Sequence, residues 1–126
     1  MPVAKPSVLF VMNDAKLRGI LVNRFVKEGW KADGTDDLAE GERKSVRFRP
    51  KILALECAQA GATLKKTLKH LRSLPTLHTA KVICLLRRPS RELVDEVTAS
   101  GADGVMLLGS LAPREVVKLF WKYVQG

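Results

Sequence analysis

The sequence is poor in cysteine and contains no long hydrophobic run. Its two cysteines, Cys57 and Cys84, are too few for a disulfide scaffold, and both lie in or beside apolar runs, where a free thiol usually packs as a small hydrophobic side chain. No run approaches the ~18 apolar residues that a membrane span requires, and the opening residues lack a secretory signal. The sequence therefore predicts a soluble protein of the reducing cytoplasm.

Signatures of catalysis and metal binding are also missing from the sequence. The segment after the first apolar run contains only Gly19, so it is not a glycine-rich phosphate cradle, and no serine has the spacing of a nucleophile elbow. The histidines His70 and His78 have no Cys, Asp or Glu at metal-ligand spacing, which indicates solvated side chains. We therefore expect no enzyme, no metal site and no cofactor.

The apolar residues, 46% of the chain, are enough for a sizeable core and are grouped into short runs. Four of these runs are too short for helices and do not alternate with polar residues, which is typical of strands buried on both faces of a parallel sheet. They cover residues 8–12, 52–55, 82–86 and 105–108. A fifth strand is predicted over residues 30–34.

Segments with helical spacing alternate with the predicted strands. Gly29, Pro75 and Gly101 end the first, third and fourth helices, and Pro113 suits the first turn of the last one. The second helix, over residues 36–48, has a poor apolar stripe. Right-handed crossovers between five such strands give a parallel sheet covered by helices on both sides. The predicted stripes are Leu17, Ile20, Leu21 and Phe25; Leu38 and Val46; Leu64, Leu68 and Leu71; Leu93, Val94 and Val97; and Val116, Val117, Phe120 and Val124.

Three segments of the chain carry a resemblance to a known family. Val8–Val11 leads into Met12, Asn13 and Asp14, Pro50–Glu56 is an apolar run ending on a carboxylate, and Ser100–Gly104 contains a Gly-Ala-Asp turn. In these features the chain resembles the receiver domain of bacterial response regulators, the chemotaxis-protein-Y-like superfamily. The resemblance implies a single domain over residues 1–126 with a flavodoxin-like (βα)5 α/β fold. It also implies a three-layer sandwich whose five parallel strands have the order 2-1-3-4-5.

The resemblance also locates the family's phosphorylation residues, and nearly all of them are replaced in this sequence. The family has two acidic Mg²⁺ ligands, a phosphoaccepting aspartate, a sensing Ser/Thr, an aromatic switch and a lysine. Mg²⁺ prefers carboxylate oxygens, and phosphoryl transfer depends on the positioning and charge neutralisation that the metal and the lysine supply. We therefore expect a phosphorylation-independent pseudo-receiver. The matching positions hold Met12 and Asn13 with Asp14 beside them, Glu56, Leu86, Val105 and Leu108.

Glu56, at the phosphoacceptor position, allows two interpretations. As a built-in mimic it would hold an active-like conformation, because its carboxylate lies one methylene farther out than that of aspartate. As a remnant it would be a structural acidic residue at a strand end, and the apolar residues at the sensing positions favour this second interpretation. A partly buried carboxylate needs a cation in either case, and the sequence predicts an ion pair with Arg87 or Arg88, just past the fourth strand.

Positive charge is concentrated in the middle of the chain. The chain has 22 Lys and Arg against 13 Asp and Glu, a formal net charge of +9, and no acidic residue lies between Glu56 and Glu92. The resemblance implies that helices 2, 3 and 4 share one side of the sheet, where the basic residues would merge into one basic face. Such a face attracts an acidic protein or nucleic acid, or is merely solvated. Its members are Arg43, Lys44, Arg47, Arg49, Lys65, Lys66, Lys69, Arg72, Arg87, Arg88 and Arg91.

The last helix offers a second candidate surface. Leu119, Trp121 and Tyr123 widen its apolar arc beyond the ~100° that one docked face needs. The family resemblance makes helix 4, strand 5 and helix 5 a surface for homodimerisation or partner docking, where aromatic side chains suit interface anchors. The alternative is that these side chains cover the sheet edge or fold back on the first helix.

The predicted function is that of a protein-interaction module in bacterial two-component signalling. Its partner would be a protein with an acidic surface or a second copy of the chain. Nucleic-acid or polyanion binding through the basic face is an alternative, although the basic interval has no aromatic residue for base stacking. A second alternative is an atypical phosphoaccepting regulator, which Mg²⁺ binding near Glu56 would favour.

Overall fold

The computed structural model describes residues 5–57, 62–88 and 90–125. Within these residues, five strands alternate with five helices, and none of the helices is long and apolar enough to cross a membrane. The strands are β1 (Ser7–Val11), β2 (Lys31–Thr35), β3 (Ile52–Glu56), β4 (Lys81–Leu86) and β5 (Gly104–Leu107). The helices are α1 (Ala15–Lys27), α2 (Leu38–Phe48), α3 (Ala62–Ser73), α4 (Arg91–Ala99) and α5 (Pro113–Gln125).

The strands form one parallel sheet in the order β2-β1-β3-β4-β5, which confirms the predicted flavodoxin-like topology. In its register Val11 pairs with Leu55 of β3, and Leu55 pairs in turn with Cys84 of β4. Because the strands are parallel, the carboxyl ends of β1, β3 and β4 lie side by side at one edge. Side chains just after these strands are thereby brought together.

Two apolar layers cover the faces of the sheet. On the face covered by α1 and α5, the ring centroids of Phe10 and Phe25 are 5.3 Å apart, and Phe120 is 6.0 Å from Phe10. On the other face, Leu68 of α3 and Val97 of α4 pack on the side chains of β3 and β4. Each of these side chains is almost wholly buried, and such burial stabilises the fold by about 2 kcal/mol per residue.

Two residues of the predicted apolar stripes point to solvent instead. Ile20 of α1 is 45% exposed and Val46 of α2 is 59% exposed. Helix α2 instead buries Gly41 and Ser45, whose small size lets the helix backbone approach the sheet closely. It also begins later than predicted, because the side chain of Asp37 caps it by accepting the backbone N–H of Glu40 at 2.7 Å.

Both cysteines are buried and unbonded, as expected. Cys57 follows β3 and Cys84 lies on the neighbouring strand β4, in the same apolar layer. The hydrogen bond that the Cys84 thiol donates to the Cys57 sulfur raises the pKa of Cys84, and burial raises it further. Cys84 is therefore a protonated core residue at neutral pH.

Candidate functional site

The candidate site lies at the carboxyl ends of β1, β3 and β4. Asn13 and Asp14 follow β1, Glu56 is the last residue of β3, and Arg87 directly follows β4. The sheet order places β3 between the other two strands, so Glu56 stands between the loop that carries Asp14 and the loop that carries Arg87. The structure thus brings together an acidic residue from each of two strand ends and a cation from the third.

Both carboxylate oxygens of Glu56 accept hydrogen bonds. Oε2 accepts the Nε–H of Arg87 at 2.5 Å, and Oε1 accepts the backbone N–H of Asn13 at 3.0 Å. The Glu56 side chain is only 17% exposed, so its charge depends on these donors. Of the two arginines predicted to pair with Glu56, Arg87 makes the contact.

Arg87 also reaches the second carboxylate of the site. Its terminal Nη2 lies 3.3 Å from Oδ2 of Asp14, while Oδ1 of Asp14 accepts the backbone N–H of Leu17 at 3.0 Å and caps α1. A guanidinium group presents donors in a rigid fork, which allows one side chain to serve two carboxylates. Arg87 therefore links the β1 loop to the end of β3, and all four carboxylate oxygens of Asp14 and Glu56 are engaged.

The electrostatics of the site keep these groups charged. The backbone N–H of Leu17 has the largest effect and lowers the pKa of Asp14. Desolvation opposes it, and the hydrogen bond and charge of Arg87 lower the pKa further. Glu56 raises the pKa of Arg87 most, and Asp14 adds to that rise. Arg87 therefore stays cationic at every pH at which the protein is folded.

The residues present do not fit a Mg²⁺ ion. The Met12 side chain is fully buried in the apolar layer beneath α1, and its backbone carbonyl already accepts the Nη1–H of Arg18 at 2.6 Å. Asn13 offers a neutral amide where the family has a carboxylate, and Arg87 already bridges the remaining carboxylates. In the described part of the chain, no group of three or more His, Cys, Asp or Glu residues could hold a metal ion.

Arg18 was not singled out by the sequence analysis, although it supports the β1 loop. Its side chain crosses the surface of β2 so closely that a Cβ at Gly34 would lie 2.8 Å from Arg18 Cδ. The sequence signal for this contact was Gly34 itself, because a glycine inside a strand often marks a place where another group approaches the backbone closely. Arg18 then ends on the Met12 carbonyl and helps to hold the loop that carries Asp14.

Comparison with solved structures identifies this architecture, although no protein-family model and no curated protein matches the sequence. HP1043, an orphan response regulator of H. pylori, matches with a TM-score of 0.80 and 15% identity over 98% of this chain and 99% of that one. Chemotaxis response regulator CheY4 of Vibrio cholerae matches with a TM-score of 0.79 and 18% identity over 95% and 99%.

A third structure, the receiver domain of sensor histidine kinase PA1611 from Pseudomonas aeruginosa, matches with a TM-score of 0.78 and 11% identity over 98% of this chain and 100% of that one. This chain has the receiver-domain fold. The PA1611 domain holds a magnesium ion coordinated in its active-site cleft. In the corresponding region of the receiver fold seen here, the Arg87 guanidinium lies against the two carboxylates.

The three other positions that the family resemblance assigned to the site carry apolar side chains that lie in the core or pack against it. Leu86 is fully buried, and its carbonyl accepts the backbone N–H of Leu108 at 2.7 Å. Leu108 packs against the apolar layer of α1 and α5, and Val105 packs against the layer of α3 and α4. None of the three can donate a hydrogen bond or a charge to a phosphoryl group.

A cavity of about 210 Å³ lies beside the site, lined by Glu56, Cys57, Arg87, Arg88 and Leu93. Arg88, the other arginine considered as a partner of Glu56, lies on the wall of this cavity. It makes no ion pair with any acidic residue that the structure describes. Arg87 and Arg88 therefore differ in their ion pairing, although they are adjacent in sequence.

The basic residues of the predicted face fall into two groups, those with an acidic partner and those without one in the described part of the chain. Several are neutralised locally: Arg43 pairs with Glu40, Lys44 with Asp33, Arg72 with Asp103, and Arg87 with Glu56 and Asp14. His70 of α3 lies 2.7 Å from Glu42 of α2, so an acidic residue sits at the junction of the two helices. His78 is also partnered, through the Arg72 carbonyl at 2.9 Å.

The remaining basic residues lie in separate places. Lys65, Lys66 and Lys69 are exposed along α3, and beside them runs a shallow groove of about 440 Å³ that reaches Ser100 at the end of α4. Arg91 is exposed at the start of α4, Arg47 lies near the end of α2, and Arg49 lies at the edge of the sheet opposite Glu56. The three α3 lysines, called the α3 lysine patch below, have no acidic partner in the described part of the chain.

The apolar residues of α5 pack inward. The indoles of Trp121 and Trp30 meet edge to face with centroids 5.0 Å apart, and Leu119 packs on the same apolar layer. Tyr123 lies over Gly104 at the start of β5, so closely that a Cβ there would overlap the phenol ring. All three side chains are half-buried, which favours the alternative in which they cover the sheet edge and the end of α1.

Proposed function

We propose that this chain is a phosphorylation-independent module of the receiver fold that acts in bacterial signalling by binding a protein partner. The observation that carries the proposal is the Arg87 guanidinium, which contacts Glu56 and Asp14 together. A fixed side chain supplies here the positive charge that Mg²⁺ supplies to the family's phosphorylation site. The neutralisation is therefore permanent, and the site has one state instead of two.

The chemistry of phosphoryl transfer explains why this arrangement opposes phosphorylation. A carboxylate that accepts a phosphoryl group needs a free oxygen aligned with the donor and cations that neutralise the charge of the transferred group. At Glu56 one oxygen is held by Arg87 and the other by the Asn13 backbone N–H. The buried Leu86 and the apolar Leu108 supply neither the hydroxyl nor the amine that the family uses.

The α3 lysine patch supports the choice of a partner with an acidic surface. Lys65 and Lys66 are adjacent, Lys69 follows one turn later, and all three are exposed. No described acidic residue lies within ion-pairing distance of them. Like charges held together on a rigid element steer an oppositely charged surface toward them and fix its orientation. We place this interaction in the cytoplasm, where Cys57 and Cys84 remain reduced thiols.

Affinity capture from a native lysate tests the proposal. The bait is the full chain, compared with a triple variant Lys65→Glu, Lys66→Glu and Lys69→Glu. Arg72 is left unchanged because it binds Asp103 and the Gly101 carbonyl and so supports the fold. The control is Lys16→Glu, Lys118→Glu and Lys122→Glu, which changes the net charge equally on exposed residues of α1 and α5.

The expected result is a protein partner that survives nuclease treatment, is retained by the control and is lost with the α3 variant. Recovery of nucleic acid alone, removed by nuclease, would replace the proposal with a polyanion-binding function. Self-association that Leu119→Asp abolishes, without a second protein, would identify α4-β5-α5 as the interface and the chain's own copy as its partner.

A further inference from the structure

A second cavity lies at the edge of the sheet opposite Glu56, at the amino-terminal ends of β3 and β4. Its volume is about 450 Å³, which is within the range of small-ligand sites. Arg49 and Lys51 enter it from the connection between α2 and β3, and Lys81 enters from the start of β4. Thr79 and Tyr123 also line the cavity.

The charge of this cavity is unbalanced. Its wall contains three cations and no acidic residue, and none of the three cations lies within 4.0 Å of a carboxylate that the structure describes. By contrast, Arg43, Lys44, Arg72 and Arg87 elsewhere each have an acidic partner. Unpaired cations that converge on a concave surface form a site for an anion.

The backbone around these cations is held rigidly. The hydroxyl of Ser7 accepts the backbone N–H of Lys51 at 2.9 Å and donates to the carbonyl of Arg49 at 3.3 Å. The Lys51 carbonyl in turn accepts the backbone N–H of Lys81 at 2.8 Å. These hydrogen bonds join Ser7 of β1, the Arg49–Lys51 connection and Lys81 of β4. Because the backbone is already fixed, it loses little conformational freedom when a ligand binds.

Arg49 has a strained backbone. Its φ of 49° and ψ of 66° place it in the left-handed region, and it is the one non-glycine residue of the described chain with a positive φ. Helices commonly end on a glycine in this conformation, because other residues are strained there. At this position the chain instead carries a guanidinium that lines the cavity, and such strained residues cluster at functional sites.

We propose that this cavity binds the phosphoryl groups of a small phosphorylated ligand. Two ammonium groups and a guanidinium match the multiple charge and several acceptor oxygens of a diphosphate better than the single charge of a carboxylate. The Thr79 hydroxyl adds a neutral donor, and the half-buried Tyr123 ring forms a flat wall for the rest of the ligand. The site is separate from Glu56 and does not depend on the function proposed above.

Titration calorimetry on the full chain tests this proposal, with sodium pyrophosphate and ADP as probes at constant ionic strength. The wild type is expected to bind saturably with one site. Lys51→Ala with Lys81→Ala is expected to weaken binding by about tenfold or more, because charge-assisted contacts are lost. The control, Lys65→Ala with Lys69→Ala, removes the same charge from the α3 lysine patch and is expected to bind like the wild type.

A second variant separates binding from folding. Arg49→Gly removes the guanidinium and relieves the left-handed backbone, so it is expected to raise the melting temperature while weakening the binding of both probes. Tighter binding of ADP than of pyrophosphate would assign the Tyr123 wall to the nucleoside, and equal affinities would limit the site to the phosphoryl groups. Absence of saturable binding, or equal weakening in both double variants, would overturn the proposal.

Discussion

At the scale of single residues, the site depends on the way Arg87 divides its donors. Its Nε binds Glu56 and its Nη2 binds Asp14, so one side chain neutralises two carboxylates on different loops. Arg88, its neighbour in sequence, lines the adjacent cavity without such an ion pair in the described chain. The two arginines therefore form a natural pair of test and control.

We predict that Arg87→Met creates a response to divalent cations. The substitution keeps an apolar stem but leaves the carboxylates of Asp14 and Glu56 facing each other without a cation, so the melting temperature at neutral pH should fall. Mg²⁺ should then raise it again, because carboxylate oxygens have become available. In thermal unfolding with and without Mg²⁺, Arg88→Met should behave like the wild type, and an equal Mg²⁺ response in all three proteins would contradict the role of Arg87.

A second residue-scale prediction concerns acid. The Leu17 N–H, assisted by Arg87, lowers the pKa of Asp14 below its ordinary value of 3.8. A carboxyl with a lowered pKa stabilises the fold above the pKa of its unfolded form, and this contribution is lost as the pH falls through the folded pKa. Asp14→Asn keeps the helix cap, since asparagine caps as well as aspartate, but removes the charge.

The stability difference between the wild type and Asp14→Asn should therefore be constant above about pH 5 and shrink as the pH falls through 3.8 and below it. Melting temperatures measured across this range check the prediction. A difference that stays the same at strongly acidic pH would mean that the Asp14 charge contributes nothing to the stability of the fold.

At the scale of the elements, two glycines are predicted to respond oppositely to alanine. Gly104→Ala should destabilise the fold, because the new Cβ would lie 2.2 Å from the Tyr123 hydroxyl and displace the ring from the start of β5. Gly19→Ala should stabilise it by about 1 kcal/mol, because Gly19 lies inside α1 with open space at the Cβ position and alanine favours helix. Denaturant unfolding of both variants measures the difference, and a stabilising Gly104→Ala would contradict the packing of α5 on β5.

The elements also show how far the sequence predicts the fold. Short apolar runs located β1, β3 and β4, which are buried on both faces, and also the edge strand β5, in which Met106 is buried and the other residues are half-buried. The stripe of α2 was wrong at Val46, since this helix buries Gly41 and Ser45 instead of large apolar residues. Hydrophobic periodicity does not detect a helix that packs through small side chains.

The candidate site was predictable where it depends on topology and unpredictable where it depends on side-chain reach. Because β3 and β4 are adjacent in the sheet, a cation that follows β4 was expected to contact Glu56. The choice of Arg87 over Arg88 and its second contact with Asp14 depend on torsion angles that the sequence does not encode locally. Likewise, no turn signal marks Arg49, because arginine is not a residue expected in the left-handed region.

At the scale of the whole molecule, three groups of basic residues differ in their surroundings. Arg87 is paired with two carboxylates at the carboxyl-terminal edge of the sheet. The α3 lysine patch is exposed on one helix, and Arg49, Lys51 and Lys81 line the cavity at the opposite edge. The proposals made above give each place its own role: a site closed to phosphorylation, a surface for an acidic partner and a cavity for an anion. On this account the receiver fold is kept while an arginine occupies the end of the sheet at Glu56.

The most direct test of the central claim is the intact mass of the protein after incubation with acetyl phosphate and Mg²⁺. A receiver domain that retains the family's aspartate serves as the positive control. Because Arg87 and the Asn13 backbone hold both oxygens of Glu56, the mass of this protein should not change while the control gains a phosphoryl group. A gain of one phosphoryl group that disappears in Glu56→Gln would contradict the account and establish an atypical phosphoaccepting regulator.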